Sequence, residues 1–559
     1  MKAVRSIGWI AGIALLAFGV FAPASIVAQQ TRADAEKDPV LKAMLVEMDR
    51  SMSQLQLPGF EKPFFLQYRI EEVDSFETKA EFGASEGSER RRQRVARVMV
   101  RVGDYKTDNS GGRADGAVGF AALDGDEVAL RSALWNATDQ AYKAALADYA
   151  QKQASLKQIE TPPQADDFSR EKPIIALDGK ALLELDEPAW ADRVARASGL
   201  YRTADTVKAL DREVESSATV FHAQVKTTWI VTSEGAIVRK AAAEYQESFA
   251  VSAQAADGMR LDRSYGSRGT SLKDLDAEDV FAQHAVEQIA SLGDLRAAPV
   301  VEEEYHGPVL LSAEASAAVL TDLLAGAVPA TRPRLGTEAR TNGPFASSYH
   351  ARVMPDWMDV VDDPGLKGYE GKGLVGAYEI DDEGVRAQAV KLVEGGRLKN
   401  YLIGRTPVKD FPQSNGHGRA GLTAAPHASL GVMQVTAQNG VTDEELMQQL
   451  IQMGKERGLN SVYYVKKLGS GLSPQLLYRV SVDGASPGKL ELVRGAVLDE
   501  VDQRALRSSI VTAGKDLWAA NYYGDVPTTV LAPALLFDDA AVKRANEKND
   551  RLPFYPPPE

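Results

Sequence analysis

Apolar and polar residues alternate along several stretches of the first 300 residues, a pattern that predicts β-strands with one buried face. In one of these stretches, valines alternate with arginines. Two longer stretches are separated by a Ser-Glu-Gly turn, which predicts a pair of antiparallel strands. The strands predicted in this half of the chain are residues 63–71, 78–83, 94–102, 218–231 and 237–250.

Apolar residues that recur every three or four positions predict helices between and after these strands. Each periodic segment follows a residue whose side chain can accept hydrogen bonds from the first turn. The starting residues are Asp124 or Asp126, Asp186, Asp276 and Thr442, the last with Glu445 in a capping box. We expect the helix after Asp276 to end at Gly293, because glycine commonly terminates helices.

The second half of the chain is richer in turns. Residues 374–380, 386–393 and 398–403 predict a β-meander, with a tight hairpin at Gly395-Gly396. A strand at residues 308–311 and a helix at residues 313–324 come before it. Further predicted strands lie at residues 430–436, 461–467, 476–482 and 490–494.

These elements predict an α+β fold with two domains. We expect an N-terminal domain of strands and long helices at residues 29–300. A mostly antiparallel, meander-like or barrel-like β domain is expected at residues 301–537, followed by a proline-rich tail at residues 538–559. A chain of 559 residues is long enough for at least two hydrophobic cores.

Composition narrows the possible partners. The net charge is −14 and the longest basic run is Arg90-Arg91-Arg92, so nucleic acid is not an expected partner. The chain contains no cysteine. It therefore has neither disulfides nor thiolate chemistry, and its stability must come from its cores.

The first 28 residues predict a signal peptide. Lys2 and Arg5 precede an apolar segment at residues 7–21, and small residues stand before a cleavage point after Ala28. The alternative is an N-terminal membrane anchor, although the apolar segment is short for a span. We expect a periplasmic or secreted protein with no membrane span once the signal is removed.

Three motifs in the second half occur in a characteristic order: Val-Val-Asp-Asp-Pro, Asp-Asp-Glu-Gly and Asn-Gly-His-Gly-Arg. Their order resembles the TldD/PmbA family, also described as modulators of DNA gyrase and TldD-type metallopeptidases. The similarity extends over about residues 308–537. Peptidase members of that family carry His-Glu-x-x-x-His on the helix after the first strand of this domain, where two histidines bind zinc and the glutamate polarises water.

The resemblance implies that this zinc site is missing. The corresponding residues are Ala313-Glu314-Ala315-Ser316-Ala317-Ala318, so alanines stand at both histidine positions and Glu314 is at most a vestigial catalytic residue. The family's third ligand, a cysteine, is also absent. We expect this chain to hold no metal and no cofactor, and zinc to be present only in a partner subunit.

Other candidate sites come from the remaining motifs. The glycine-rich loop of Asn415, Gly416, His417, Gly418 and Arg419 predicts a backbone that approaches a ligand closely, or a loop held in place by its histidine. Arg268, in a Gly-Ser-Arg-Gly segment similar to one in the family, is either part of a peptide groove between the domains or part of an ordinary turn.

Three further patterns in the sequence resemble possible sites. His350, His417 and Asp363 are the candidates for a rebuilt metal site. The acidic pairs Asp362-Asp363 and Asp381-Asp382 are interpreted as solvated turn carboxylates. The two Gly-x-Ser-x-Gly matches, at Ser85 and Ser486, lie at predicted strand–strand turns, whereas a nucleophile elbow requires a strand followed by a helix.

The resemblance to the PmbA-like branch implies a zinc-lacking subunit of a peptide-degrading assembly. Its substrate would be a peptide or unfolded protein, and it would form a homo-oligomer or pair with a TldD-like subunit. Two alternatives remain open. One is a peptide-binding or chaperone-like protein without hydrolytic activity, and the other is a metallopeptidase with a rebuilt metal site.

Overall fold

The computed structural model describes residues 30–112, 115–160, 162, 165–202, 213–469, 471–484 and 486–546. The predicted signal peptide lies outside the described residues, as does the end of the predicted tail. Across these described ranges, no helix combines the length and the apolar character needed to cross a membrane.

The first domain contains long strands and long helices. Its elements are α1 (Arg32–Ala35), α2 (Pro39–Gln54), β1 (Pro63–Glu81), β2 (Ala84–Val102), β3 (Ala117–Phe120), α3 (Glu127–Leu156), β4 (Ile175–Leu177), α4 (Glu187–Ser198), β5 (Val214–Thr232), β6 (Ile237–Gln254), β7 (Arg260–Gly269) and α5 (Glu278–Ala297).

Helix capping follows the sequence in two of these helices. The Asp126 and Asp186 carboxylates accept hydrogen bonds from backbone N–H groups of the first turns of α3 and α4, as predicted. The prediction for α5 was wrong at both ends. Asp276 instead accepts a hydrogen bond from the Tyr265 hydroxyl at 2.7 Å, and α5 continues past Gly293 because the next turn buries Leu295.

The strands of the first domain form one sheet in the order β3-β2-β1-β5-β6, with β4 and β7 each paired to a different part of β6. The two strands predicted at residues 63–71 and 78–83 are a single strand, β1. It is antiparallel to β2 over nearly its full length.

Strand alternation gives this sheet two different faces. One face is apolar: Tyr68, Ile70 and Trp229 pack against α2 and α3 in a buried core. The other, called here the polar face, points toward the second domain and carries Arg69, Glu71, Lys226, Glu244 and Arg268 among others. The pairing register places these side chains on the same side of the sheet. Arg69 of β1 pairs with Ile230 of β5, so the odd-numbered residues of β1 share a face with the even-numbered residues of β5, β6 and β7.

The second domain contains more and shorter elements. They are β8 (Tyr305–Leu311), α6 (Ala313–Ala325), β9 (Met358–Asp362), β10 (Gly368–Tyr369), β11 (Lys372–Gly373), β12 (Val390–Glu394), β13 (Arg397–Leu398), β14 (Gly418–Arg419), β15 (His427–Ala428), β16 (Val432–Ala437), α7 (Asp443–Glu456), β17 (Ser461–Leu468), β18 (Pro474–Ser481), β19 (Leu490–Val493), β20 (Ala496–Asp499), α8 (Gln503–Ser508), β21 (Ile510–Tyr522) and β22 (Thr528–Arg544).

Most strands of the second domain form one open sheet in the order β13-β12-β9-β16-β22-β8-β17-β18-β19, and β20 and β21 also pair with β22. Most pairs are antiparallel, but β16–β22 and β8–β17 are parallel. The α+β fold class is therefore confirmed, whereas the barrel-like closure was wrong. The buried face of α6, including Leu320 and Leu324, lies in the largest core of the domain.

The predicted meander was largely wrong. Residues 374–380 and 399–403 form irregular loops, and only β12 and the short β13 remain as strands. The hairpin was correct: Gly395 and Gly396 have φ of 55° and 68° between the paired residues Val393 and Leu398. The last strand, β22, extends to Arg544, so the predicted tail begins later than residue 538.

Candidate functional site

The second domain covers much of the polar face through hydrogen bonds. The Gln67 side-chain amide donates to the Asp382 carbonyl oxygen at 2.8 Å, and the Lys240 ammonium contacts an Asp382 carboxylate oxygen at 2.7 Å. The Arg405 guanidinium lies 2.7 Å from a Glu234 carboxylate oxygen. These contacts hold a loop of the second domain against the middle of the first sheet.

Toward β7, the polar face is less covered, and both domains contribute polar side chains that are half-buried or exposed. We call this group the interdomain site. Its members are Glu244, Arg268, Glu314, Lys467, Tyr522 and Tyr523. Two of them, Glu314 and Arg268, are residues that the sequence analysis selected.

Glu314 lies in the first turn of α6. Ser312 is the N-cap residue: its hydroxyl accepts from the Ala315 N–H at 3.1 Å and donates to the Lys466 carbonyl oxygen at 2.7 Å. A Glu314 carboxylate oxygen is 4.0 Å from the Lys467 ammonium, which also donates to the Ser264 carbonyl oxygen of β7 at 3.2 Å. Lys467 thus connects α6 to the first domain. Partial burial raises the pKa of Glu314, and Lys467 opposes that shift.

Tyr522 and Tyr523 extend from the end of β21 between these groups. The Tyr522 hydroxyl hydrogen-bonds with Thr321 of α6 and lies within electrostatic range of Glu314. The Arg268 guanidinium carbon is 5.5 Å from the centre of the Tyr523 ring, a cation–π distance. Burial raises the pKa of Tyr523, and the nearby Glu244 carboxylate adds to the effect.

Glu244 is the carboxyl group of the interdomain site whose pKa is raised close to neutral pH. Burial raises its pKa to about 7, although Lys226 and Arg268 both favour the charged form. A carboxyl group that titrates near neutral pH can act as a proton donor and acceptor or respond to the charge of a ligand. Cationic, acidic and phenolic groups therefore lie together at the interdomain site.

The residues at the start of α6 do not fit a zinc ion. Ala313 and Ala318 end in methyl groups, and the Glu314 carboxylate faces a lysine. In the part of the chain that the structure describes, no group of three or more His, Asp or Glu side chains is arranged to hold a metal. His350, His417 and Asp363 are accordingly not brought together there.

The Asn-Gly-His-Gly-Arg loop lies inside the second domain. His417 is fully buried: one ring nitrogen contacts the Asn415 side chain at 3.0 Å and the other an Asp362 carboxylate oxygen at 3.3 Å. The Arg419 guanidinium donates to the Leu430 carbonyl oxygen at 2.9 Å. The polar side chains of this loop therefore bind neighbouring parts of the fold.

The two glycines of the loop allow close approach within the protein. Gly416 has φ of +75°, and a side chain there would meet the Arg386 carbonyl oxygen at 2.3 Å. At Gly418, a side chain would meet a Glu383 carboxylate oxygen at 2.0 Å. The sequence analysis expected these glycines to approach a ligand, whereas the close contacts in the structure are to other residues of this chain.

The interpretation of the acidic pairs as solvated turns was wrong for three of the four residues. Asp362 and Asp381 are fully buried and Asp382 is 6% exposed. The Asp362 carboxylate accepts from the Gly431 N–H at 3.1 Å, and the Asp381 carboxylate accepts from three backbone N–H groups, including that of Gly418 at 2.9 Å. Burial raises the pKa of Asp381, whereas Lys240 and Arg69 outweigh burial and lower the pKa of Asp382.

The remaining sequence predictions near possible sites concern Ser85 and Ser486. Both lie by turns between paired strands, β1–β2 and β18–β19, so neither follows the strand-to-helix geometry of a nucleophile elbow. Of the two alternatives for Arg268, the ordinary turn was wrong: its segment belongs to β7, where Arg268 pairs with Gln246.

The sequence analysis missed Glu244, Lys467 and Tyr523. Glu244 and Lys467 lie in correctly predicted strands, where alternating polar residues indicate a solvent-facing side. The polar side of β6 instead faces a second domain. A charged residue on a strand that a second domain covers indicates such a site. This signal can be used only when the arrangement of the two domains is known.

Comparisons with known proteins agree with this architecture. The family model described as the PmbA/TldA metallopeptidase C-terminal domain matches residues 303–544. A search of curated protein sequences finds no match.

Similar solved structures include TldE from Thermococcus kodakarensis, with 12% identity and a TM-score of 0.57 over 90% of this chain and 99% of that one. Two proteins described as DNA gyrase modulators are each 14% identical. The one from Thermotoga maritima has a TM-score of 0.56 over 86% of this chain and 96% of its own. The one from Bacteroides thetaiotaomicron has a TM-score of 0.55 over 91% and 99%. At these identities the likeness shows a shared fold.

Proposed function

Because this chain belongs to the TldD/PmbA family through residues 303–544, we propose that it is an exported, zinc-lacking subunit of a peptide-degrading assembly. In this proposal it binds peptide or unfolded protein at the interdomain site, and a TldD-like partner subunit supplies the metal. The observation that carries the proposal is the start of α6, where Ala313 and Ala318 flank a glutamate that faces Lys467.

The chemistry of the interdomain site supports a binding role. Arg268 is exposed and can pair with a peptide carboxylate, and Glu244 can accept hydrogen bonds from backbone N–H groups or pair with a peptide amine. Strand β7 pairs with β6 along one edge, and among the described residues no strand pairs with its other edge. An extended peptide can add to such an edge through backbone hydrogen bonds.

The test is a reconstitution. The protein without residues 1–28 is mixed with a TldD-like protein of the same organism that retains His-Glu-x-x-x-His, and cleavage of an unstructured fluorescent peptide is measured. We expect no cleavage by this chain alone in the presence of zinc. We also expect co-elution of the two proteins and faster cleavage in the mixture than with the partner alone.

Substitutions in this chain then test whether the interdomain site binds the peptide during cleavage by the mixture. Arg268→Ala should raise the KM of the mixture about 10-fold, as expected for one lost charged contact of about 1.4 kcal/mol, with little change in kcat. Arg260→Ala removes an exposed arginine from the other end of the same strand and should leave KM unchanged. Zinc-dependent cleavage by this chain alone would contradict the proposal.

A peptide-binding protein without any hydrolytic partner is the second candidate, favoured by the unpaired edge of β7. It predicts that the chain binds the fluorescent peptide with the same dependence on Arg268 but does not co-elute with the TldD-like protein. Fluorescence anisotropy of the peptide distinguishes the two candidates.

A further inference from the structure

Two arginines face each other at the centre of the polar face. Arg69 of β1 and Arg97 of β2 are direct cross-strand partners, and they are only 2% and 8% exposed. Like charges directly opposite each other on antiparallel strands repel, since their Cβ atoms are about 5 Å apart. Burial and the charge of Arg69 both lower the pKa of Arg97, with Asp115 acting in the opposite direction.

The hydrogen-bond partners of this pair are all neutral carbonyl groups. The Arg69 Nη2 donates to the carbonyl oxygens of Gly421 and Ala424, each at 2.8 Å. The Arg97 Nη1 donates to the Thr423 carbonyl oxygen at 2.9 Å, and its Nη2 donates to the carbonyl oxygen of Asp115. Both arginines thus bind the loop at residues 421–424 of the second domain, and none of these bonds supplies a negative charge.

Part of the hydrogen-bonding capacity of both guanidinium groups is unused. Nε and Nη1 of Arg69 and Nε of Arg97 are buried and have no hydrogen-bond partner. Within the described residues, neither arginine has a carboxylate within ion-pair distance. Asp382 interacts electrostatically with Arg69, but its carboxylate binds Lys240 and the Ala420 N–H. Asp115 interacts electrostatically with Arg97.

The neighbouring arginine on β2 provides a contrast. Arg101 is also buried, at 4% exposed, but its Nη1 is 2.9 Å from a carboxylate oxygen of the fully buried Asp108. A buried charge without a counter-charge is costly, and proteins ordinarily pair it or bind an ion next to it. Arg69 and Arg97 lack the counter-charge that Arg101 has, and a bound anion would supply it.

A small cavity lies at the pair. It is lined by Gln67, Arg69, Arg97, Met99 and Pro426. The space open to the centre of a water-sized particle is about 10 Å³, which is enough for one such particle. Gln67 and Met99 are the next cross-strand pair on the same face, and Pro426 comes from the loop that the arginines bind. The cavity is too small for a phosphate group and suits a single monatomic anion.

We propose that this cavity is a binding site for one small monovalent anion of the chloride type, held between the guanidinium groups of Arg69 and Arg97. The bound anion neutralises the repulsion between the two arginines and fastens the loop at residues 421–426 to the first domain. It lies apart from the residues proposed to bind peptide, so the inference does not depend on the proposed function.

The first test locates the anion in the full mature chain. Crystals grown without halide are soaked in sodium bromide, and bromine is located by its anomalous scattering. We expect a bromine peak between the two guanidinium groups of the unmodified protein and no peak in Arg97→Gln. An unmodified protein without a peak at this position would overturn the proposal.

The second test measures stability in solution and does not require crystals of the variant. Thermal unfolding is followed in chloride, in bromide and in gluconate at equal ionic strength. The unmodified protein should unfold at a higher temperature in chloride or bromide than in gluconate, because an anion that binds only the folded state stabilises it. In Arg97→Gln this difference should disappear.

The control is Arg92→Gln on the same strand. Arg92 is exposed and paired with Glu72, so this variant loses the same charge without touching the cavity. It should keep the full halide effect. A halide effect that is absent from the unmodified protein, or equally large in Arg97→Gln, would overturn the proposal even if both variants fold normally.

Discussion

Glu244 offers a direct test of how the second domain changes the polar face. Burial raises its pKa from 4.5 to about 7. At about 1.36 kcal/mol per pH unit, this difference corresponds to at most about 3.4 kcal/mol. The side chain is half-buried and retains contact with solvent, so we expect about 1–2 kcal/mol after allowing for screening.

The free energy of unfolding depends on pH because the pKa of Glu244 is higher in the folded state than in the unfolded state. Below pH 4.5, Glu244 is protonated in both states and the protein has the full stability that this carboxyl permits. As the pH rises toward 7, the unfolded state loses its proton first, so the free energy of unfolding falls. Above pH 7 the loss is complete, because the folded state then carries a partly buried charge.

Glu244→Gln removes the ionisation while retaining the shape of the side chain. We expect the variant to be more stable than the unmodified protein by about 1–2 kcal/mol at pH 8, with a smaller gain at pH 5. The free energy of unfolding is measured by urea denaturation followed by circular dichroism at pH 5, 6, 7 and 8.

The matched control is Glu86→Gln, which removes the same charge from an exposed position on β2 of the same sheet. Glu86→Gln should change the free energy of unfolding only slightly, and by the same amount at every pH. A gain for Glu244→Gln that is the same at pH 5 and pH 8, or a loss of stability at pH 8, would refute the reasoning.

Two further predictions concern the buried loop of the second domain. Gly416→Ala should lower the free energy of unfolding by about 3 kcal/mol or more, because Gly416 has a positive φ and an added side chain would clash with backbone at 2.3 Å. The control Gly371→Ala has a similar φ of +81° with no atom within 4 Å, and it should lower the free energy of unfolding by about 1 kcal/mol. Equal losses for the two variants would contradict the structure. Asp362→Ala should cost about 3 kcal/mol, because it leaves buried N–H groups of Gly431 and Val432 without an acceptor, and a loss below 1 kcal/mol in urea denaturation would show that water replaces the carboxylate.

The sequence predicted those elements whose determinants are local. Helix α7 begins at the capping box of Thr442 and Glu445 as expected, and α3 begins after Asp126. Side-chain capping and helical periodicity depend on residues a few positions apart, so they can be read without knowing the rest of the fold. The Gly395-Gly396 hairpin was predictable for the same reason.

The sequence did not predict features that depend on distant parts of the chain. Residues 374–380 have the alternation of a strand, but Gly376 lies against the Gly431 carbonyl oxygen, and the segment is held by contacts to residues far along the chain. Asp381 and Asp382 lie in an Asp-Asp-Glu-Gly sequence typical of a surface turn. Their burial results from the packing of that turn against the first domain, which no local pattern reveals.

The interdomain site was predictable in part. Glu314 and Arg268 were identified through the family resemblance, and the structure places both beside the tyrosines at the end of β21. Glu244 could not be identified, since a glutamate on an alternating strand has the same local sequence whether solvent or a second domain covers it.

The central claim is that this chain does not carry the metal of the proposed assembly. The most direct measurement is elemental mass spectrometry of the purified mature protein after dialysis against limiting zinc. Our account predicts far less than one zinc, and no other transition metal, per chain. A stoichiometric metal would contradict it, because the ligands would then have to come from residues other than Ala313 and Ala318.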